Sequence, residues 1–176
     1  MLGTNSVSID THFMAIELTS DERNKLLGGP LSAAMAVMAV DMGIFSSAQE
    51  AIALGRELAQ AASRYASNPL IASLFDQEAL KQGIRPDKLE VSVDDVRNGK
   101  VLDKALAEVD EAMVLARSKG DAECCQQYAQ LIVDSCKAVA AAAGNGLFGS
   151  GVKVTADEKA ALDRISQHLG VPITTV

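Results

Sequence analysis

Apolar side chains recur along most of this chain three and four residues apart, the spacing that places them on one face of an α-helix. Three stripes of this kind stand out. Their members are Leu54, Leu58, Ala61, Ala62 and Tyr65; then Leu102, Leu106, Val109, Met113 and Ala116; and then Tyr128, Leu131, Ile132, Ser135 and Val139. A shorter set, Leu162, Ile165 and Leu169, follows near the end. The pattern predicts an all-α protein in which each helix buries one face.

Short start and stop signals set the bounds of the predicted helices. Capping boxes, in which Ser or Thr precedes Glu by three residues, begin at Thr19, Ser47 and Thr155. Gly28-Gly29 predicts the end of a first helix, and Pro30, a favourable first residue of a helix, predicts the start of a second. Other boundaries are expected at Asn68-Pro69, Asn98-Gly99, Gly120-Asp121, Gly144 and Gly170. Together these signals predict a compact bundle of about seven helices.

Residues 83–99 depart from the helical pattern. They include Pro86 and an alternation of Leu89, Val91 and Val93 that would suit a short β-strand. A lone strand has no partner in this chain, so an extended linker is the preferred interpretation. Residues 1–18 precede the first capping box and are expected to be irregular. The predicted organisation is therefore an irregular N-terminal segment, residues 1–18, followed by a single all-α domain, residues 19–176.

Two segments of the chain resemble each other. Aligning residues 32–46 with residues 135–149 matches Ser32, Ala39, Gly43 and Phe45 with Ser135, Ala142, Gly146 and Phe148. A capping box follows each copy, after a loop that is five residues longer in the second. In segments this rich in small, helix-favouring residues, composition alone could produce such matches. If they mark a duplication, the two helices should pack together about a pseudo-two-fold axis, with Phe45 and Phe148 in equivalent buried places.

Composition and charge restrict the partners. Hydrophobic residues make up 48% of the 176 residues but aromatic ones only 3%, so Ala, Leu, Ile, Val and Met are expected to fill the core. The formal charge of −7 opposes binding to nucleic acid and to anionic lipid. Residues 1–19 lack the pattern of a secretory signal, and the apolar run at residues 31–40 is too short to insert across a membrane. A cytoplasmic protein with buried, reduced cysteines is therefore expected.

The motifs of common enzyme classes are missing from the sequence. It contains no phosphate loop, no Cys-x-x-Cys, no His-Glu-x-x-His and no Gly-x-Gly-x-x-Gly that follows a predicted strand. A ferritin-type di-metal centre needs Glu three residues before His, and neither His12 nor His168 has one. The glycine-rich residues 144–151 could hold an anion at their amides, but a connection between helices is the commoner role. We therefore expect neither an enzyme nor a cofactor.

Residues 39–50 carry a more specific pattern. Their sequence, Ala-Val-Asp-Met-Gly-Ile-Phe-Ser-Ser-Ala-Gln-Glu, resembles the inter-helix signature of the tellurite-resistance TerB-like family, approximately Ala-Asp-Gly-x-hydrophobic-Ser-x-x-Glu. Residues 154–170 resemble that family's closing helix. The resemblance implies a compact all-helical domain with two related halves, a link to bacterial stress responses, and metal binding by acids at helix junctions. Only Asp41 and Glu50 match as candidate metal ligands, because Met42 interrupts the first motif and Gly144-Asn145 replace the acid of the second.

Three functions remain open at this stage. The leading hypothesis is a non-enzymatic helical interaction module of a bacterial stress-response system, which implies a protein partner and allows a homodimer. The second is a metal-responsive domain using Asp41 and Glu50, although two carboxylates are too few for a tight Ca²⁺ site and would also suit a helix end and a capping box. The third is a bundle that holds an apolar ligand near Met35, Met38 and Met42, where core packing is the commoner role.

Overall fold

The structure is a computed structural model that describes residues 16–40, 48–75, 89–143 and 154–173. Within these ranges it contains seven α-helices and no strand. Their bounds are α1, Ser20–Ala39; α2, Ala48–Arg64; α3, Pro69–Leu74; α4, Val93–Arg97; α5, Val101–Lys119; α6, Ala122–Ala143; and α7, Ala156–Leu169. The prediction of an all-α bundle is confirmed. No helix in these ranges is both long and apolar enough to cross a membrane.

Helix α6 lies at the centre of the bundle. It contacts α1, α2, α3, α5 and α7, while α1 makes its most extensive contact with α5. The predicted stripes of α5 and α6 are buried throughout, whereas on α2 only Leu54 and Ala61 are buried and Leu58 is half-buried. As composition predicted, aliphatic side chains fill the described core, and Tyr128 is its largest fully buried residue.

Local capping interactions bound α1, α3 and α7 at positions that the sequence predicted. Thr19 and Thr155 each accept a hydrogen bond from the amide three residues later, and the Glu at that position accepts one in return. The Asn68 side chain accepts from the amide of Ile71 at 3.0 Å and so begins α3. Gly170 ends α7 with a φ of 66°, the left-handed conformation that glycine adopts without strain.

The first helix continues through Pro30, so the prediction of two helices meeting at Gly28-Gly29 was wrong. Because proline has no amide hydrogen, the carbonyl of Leu26, four residues earlier, loses its helical partner. The hydroxyl of Tyr128 on α6 donates a hydrogen bond to that carbonyl instead. Residues 28–30 are buried. The hydrogen bond from Tyr128 therefore stabilises a helix that local propensity alone would end.

Gly29 provides the space for this contact. A Cβ atom at position 29 would lie 2.7 Å from Tyr128 Oη and 3.0 Å from Ala112 Cβ, closer than such atoms pack. Complete burial raises the pKa of Tyr128, so its hydroxyl stays a neutral donor over the ordinary pH range. The glycine is therefore required by the close approach of α6 and α5 to α1.

Helix α4 lies in the stretch for which an extended linker was predicted, and that part of the prediction was wrong. Ser92 Oγ accepts from the amide of Asp95 at 3.1 Å, and the Asp95 carboxylate accepts from the amide of Ser92 at 2.9 Å. This capping box was missed because Asp stands where Glu is usual. Lys104 of α5 donates to the same carboxylate at 2.8 Å and fixes α4 to the bundle. Residues 76–88 lie outside the described ranges.

The two helices of the internal repeat, α1 and α6, pack against each other, as a duplication would require. Ser32 and Ser135, at equivalent positions, are both buried, with exposed fractions of 1% and 0%. Ser135 Oγ donates to the carbonyl of Leu131 at 2.9 Å, whereas Ser32 Oγ has no hydrogen-bond partner in the described part of the chain. Phe45 and Phe148 lie outside that part, so the pseudo-two-fold relation stays a prediction.

Replacing Gly29 with Ala should lower the free energy of unfolding by about 1–3 kcal/mol, because the methyl group overpacks the contact with Tyr128 and Ala112. Gly55 is the matched control, since it lies within α2 and a Cβ there meets nothing within 4 Å. Gly55→Ala should therefore stabilise the protein by roughly 0.5–1 kcal/mol through helix propensity. Urea unfolding followed by circular dichroism measures both effects, and stabilisation by Gly29→Ala would contradict the close packing.

Tyr128→Phe should cost about 1–3 kcal/mol, because it leaves the buried carbonyl of Leu26 without a donor. Pro30→Ala supplies a backbone N–H at the position that normally bonds to this carbonyl. In the Pro30→Ala background, Tyr128→Phe should therefore cost less, by roughly 1 kcal/mol in a double-mutant cycle. Additive effects of the two changes would show that the hydroxyl does not replace the missing amide.

Ser32→Ala should stabilise the protein by up to about 1 kcal/mol, because it removes a buried hydroxyl that lacks a partner. Ser135→Ala is the control at the equivalent position and should cost about 0.5–1.5 kcal/mol, since its hydroxyl is bonded. Parallel urea titrations of the two variants compare the signs. Equal losses of stability would show that the Ser32 hydroxyl is bonded after all.

Candidate functional site

The residues predicted as metal ligands fall at the edge of the described structure. Asp41 and Ser47 lie outside it, and Glu50 lies in α2 without its side chain being described. Among the side chains that are described, no group of three or more His, Cys, Asp or Glu residues could hold a metal ion. A site formed by Asp41 and Glu50 stays a prediction.

The methionines proposed to surround an apolar ligand border the core. Met35 and Met38 are partly buried on α1, and Met42 lies outside the described ranges. The fully buried positions on that helix include Ala36 and Val37. Small side chains, rather than methionines, therefore face the centre of the bundle at this level.

A groove runs along the seam between α1 and α5. The two helices are antiparallel, since Lys25 pairs with Glu111 and Glu22 pairs with Lys119, so that numbers rise along one helix and fall along the other. The groove encloses about 560 Å³. Its lining residues are Asp21, Glu22 and Lys25 from α1, and Asp110, Glu111, Val114, Leu115 and Ser118 from α5.

Apolar and acidic groups together give this groove its chemical character. Val114 and Leu115 provide apolar surface, and Val114 is 63% exposed. The charged groups in the lining comprise four carboxylates and one ammonium group, that of Lys25. A single exposed valine is ordinary on a protein surface, but here it lies between acids from two helices. The groove therefore combines an apolar floor with a negatively charged rim.

Two of the four carboxylates form ion pairs across the seam. Lys25 Nζ lies 2.5 Å from Glu111 Oε2, and Lys119 Nζ lies 2.7 Å from Glu22 Oε1. The hydrogen bond from Lys119, together with the backbone amide of Thr19, lowers the pKa of Glu22. These pairs fix the relative position of the two helices and neutralise the charges of Glu22 and Glu111.

The other two carboxylates, Asp21 and Asp110, keep a negative charge near the two ends of the groove. Within the described part of the chain, neither has a Lys or Arg at ion-pair distance. Asp110 Oδ1 lies 2.7 Å from Nε2 of His168 at the end of α7, and the Asp110 side chain remains 61% exposed. His168 is therefore a neighbour of the groove.

The sequence analysis did not find this groove, because charged residues outside an apolar stripe are typical of any solvated helix face. One signal was present. Val114 lies outside the stripe that contains Val109 and Met113, so its helical position turns it away from the core. A large apolar residue on the outer face of a helix, close to Asp110 and Glu111, indicates a candidate contact surface.

A second polar cluster joins α2 to α6. Arg64 donates to Glu57 at 2.5 Å and to Asp134 at 3.2 Å, and the bond to Glu57 raises the pKa of Arg64. Tyr65 Oη donates to Asp134 Oδ2 at 3.2 Å, and Gln130 donates to Oδ1 at 3.0 Å. The donors and acceptors of this cluster satisfy one another, so its role is to hold α2 on α6.

The three cysteines behave as the small buried side chains that the sequence predicted. Cys124, Cys125 and Cys136 are buried and form no disulfide. Burial raises the pKa of each thiol, which disfavours the nucleophilic thiolate. These residues therefore contribute to packing rather than to a reactive site.

Comparison of the chain with family models, with curated proteins and with solved structures gives no significant match. The resemblance to the TerB-like family is therefore still an expectation. The groove between α1 and α5 has to be interpreted from its own geometry and charges.

An alkaline titration reports on both tyrosines of the chain, Tyr65 and Tyr128. Burial, followed by the charge of Asp134, raises the pKa of Tyr65 to about 12, and that of Tyr128 is raised by burial. Tyrosinate absorbance of the folded protein should therefore stay low through pH ~10, the usual pKa. Because the unfolded chain releases these protons first, stability should fall as pH rises above about 10. Tyrosinate formation near that pH in the folded protein would contradict the burial.

Proposed function

We propose that this chain is a non-enzymatic helical interaction module that binds a protein partner along the α1/α5 groove. The observation that carries the proposal is the exposed Val114 on an apolar floor, framed by carboxylates from two helices. An apolar centre with a polar rim is the usual anatomy of a protein–protein interface. The resemblance of residues 39–50 extends the proposal to a partner in a bacterial stress-response system, met in the cytoplasm.

The state of the potential nucleophiles supports binding rather than catalysis. All three thiols are buried with raised pKa values, and the Tyr128 hydroxyl is engaged with the Leu26 carbonyl. Glu22 and Glu111 of the groove are paired across the seam, Asp110 contacts His168, and Asp21 is exposed. Such groups suit the recognition of a charged partner better than proton transfer in a water-excluded site.

The size of the groove indicates a transient complex. A stable interface buries about 800 Å² on each partner, more than the groove alone offers, so the partner must also cover the outer faces of α1 and α5. We expect a dissociation constant of roughly micromolar order, as for other small and partly polar interfaces.

Site-specific photo-crosslinking tests this proposal in the source cell. Val114 and, as a matched control, Val93 of α4 are each replaced by a photoreactive phenylalanine analogue, since both valines are strongly exposed, at 63% and 67%. A discrete protein should crosslink at position 114 and not at 93. The crosslinked protein is then identified by mass spectrometry, purified and tested for binding.

Binding of that purified protein should be abolished by Val114→Glu and unchanged by Val93→Glu. A crosslink to a second copy of the chain would identify the interaction as a homodimer. Equal crosslinking at both positions, or none at position 114, would overturn the assignment of the groove as an interaction surface.

A further inference from the structure

Two carboxylates of the groove, those of Asp21 and Asp110, have no Lys or Arg partner among the described residues and lie toward its two ends. Asp110 is near one end, and Asp21 adjoins Glu22, whose carboxylate pairs with Lys119 at the other end. The inner carboxylates, those of Glu22 and Glu111, already have partners on the protein. A ligand therefore meets negative charge at both ends and apolar surface at Val114 between them.

The helix geometry gives the distance between these charges. Ser118, which lines the groove beside the Asp21 end, follows Asp110 by eight residues on α5, a rise of about 12 Å. Two side chains seven residues apart on a partner helix lie on one face, about 10.5 Å apart. This spacing is close to that rise, so Lys or Arg at the two positions would lie beside Asp21 and Asp110, with the residues between them against Val114.

We propose that the occupant is an amphipathic helix of the partner protein with Lys or Arg at positions i and i+7 and large aliphatic residues at i+3 and i+4. This inference rests on the proposed function of the groove. A seam between two antiparallel helices accommodates a third helix laid along it, the helix-in-groove mode of recognition. The basic ends pair with Asp21 and Asp110, and the aliphatic residues cover Val114 and Leu115.

The net charge and the charge pattern of the described helices argue against a second copy of this chain as the occupant. None of the seven described helices carries two Lys or Arg residues seven positions apart. The net charge of −7 also makes two copies repel each other. A different, positively charged protein is the partner that the groove fits.

Calorimetric titration of the full chain with three synthetic helical peptides tests the inference. The first peptide has Lys at i and i+7 with Leu at i+3 and i+4. The second has the same composition, with the second Lys moved to i+5 on the opposite face, and the third has Glu in place of both Lys. We expect the first to bind at low salt, the second at least about tenfold more weakly, and the third not at all.

Variants of the protein show whether binding occurs in the groove. Asp21→Asn should weaken binding of the first peptide several-fold and reduce its salt dependence. Asp157→Asn is the matched control, because Asp157 occupies the same position after the capping box of α7 and does not line this groove. It should leave the affinity unchanged, and circular dichroism verifies that both variants fold.

The outcomes separate this inference from the function on which it rests. Equal affinity for the first two peptides, or equal effects of Asp21→Asn and Asp157→Asn, would overturn the i, i+7 helix while leaving a specific crosslink at Val114 to support the interaction surface. Self-association that Val114→Glu abolishes would replace the proposed occupant by a second copy. Absence of both peptide binding and the crosslink would overturn both proposals.

Discussion

A hydrogen bond from Tyr128 on α6 to the Leu26 carbonyl on α1 sets how closely the two central helices approach. It depends on two neighbours, since Gly29 leaves room for the hydroxyl and Pro30 leaves the carbonyl without its helical donor. The contact holds α1 against both α6 and α5. Because α1 also supplies one wall of the groove, packing in the core determines where the charged residues of the surface lie.

Those parts of the fold that local physics decides were predictable from the sequence. The capping boxes at Thr19 and Thr155 and the left-handed Gly170 each involve only a few consecutive residues. Pro30 was misinterpreted because the group that compensates for it, on Tyr128, lies 102 positions from Leu26. Helix α4 escaped notice for a smaller reason, an Asp in place of the usual Glu of its capping box.

The candidate site was harder to predict because it exists only when two distant helices lie side by side. Lys25 and Glu111, which pair across it, are 86 positions apart. Along the sequence their charges look like an ordinary solvated surface, and no local pattern indicates that α1 and α5 are neighbours. Val114 was the exception, because a large apolar residue stands there at a helical position that faces away from the core. The predicted ligands Asp41 and Glu50 came from a resemblance, which contains no information on this seam.

The missing N–H of Pro30 also affects how α1 unfolds locally. A continuous helix resists local unfolding because each turn is bonded to the next, and one of those bonds is absent at Leu26. At that point the continuity of α1 depends on the Tyr128 side chain of α6. Amide hydrogens before and after it should therefore exchange at two distinct rates. The N-terminal part of α1 contains Asp21 and Lys25. The part of α1 that lines the groove therefore unfolds locally with a free energy that depends on Tyr128 of α6.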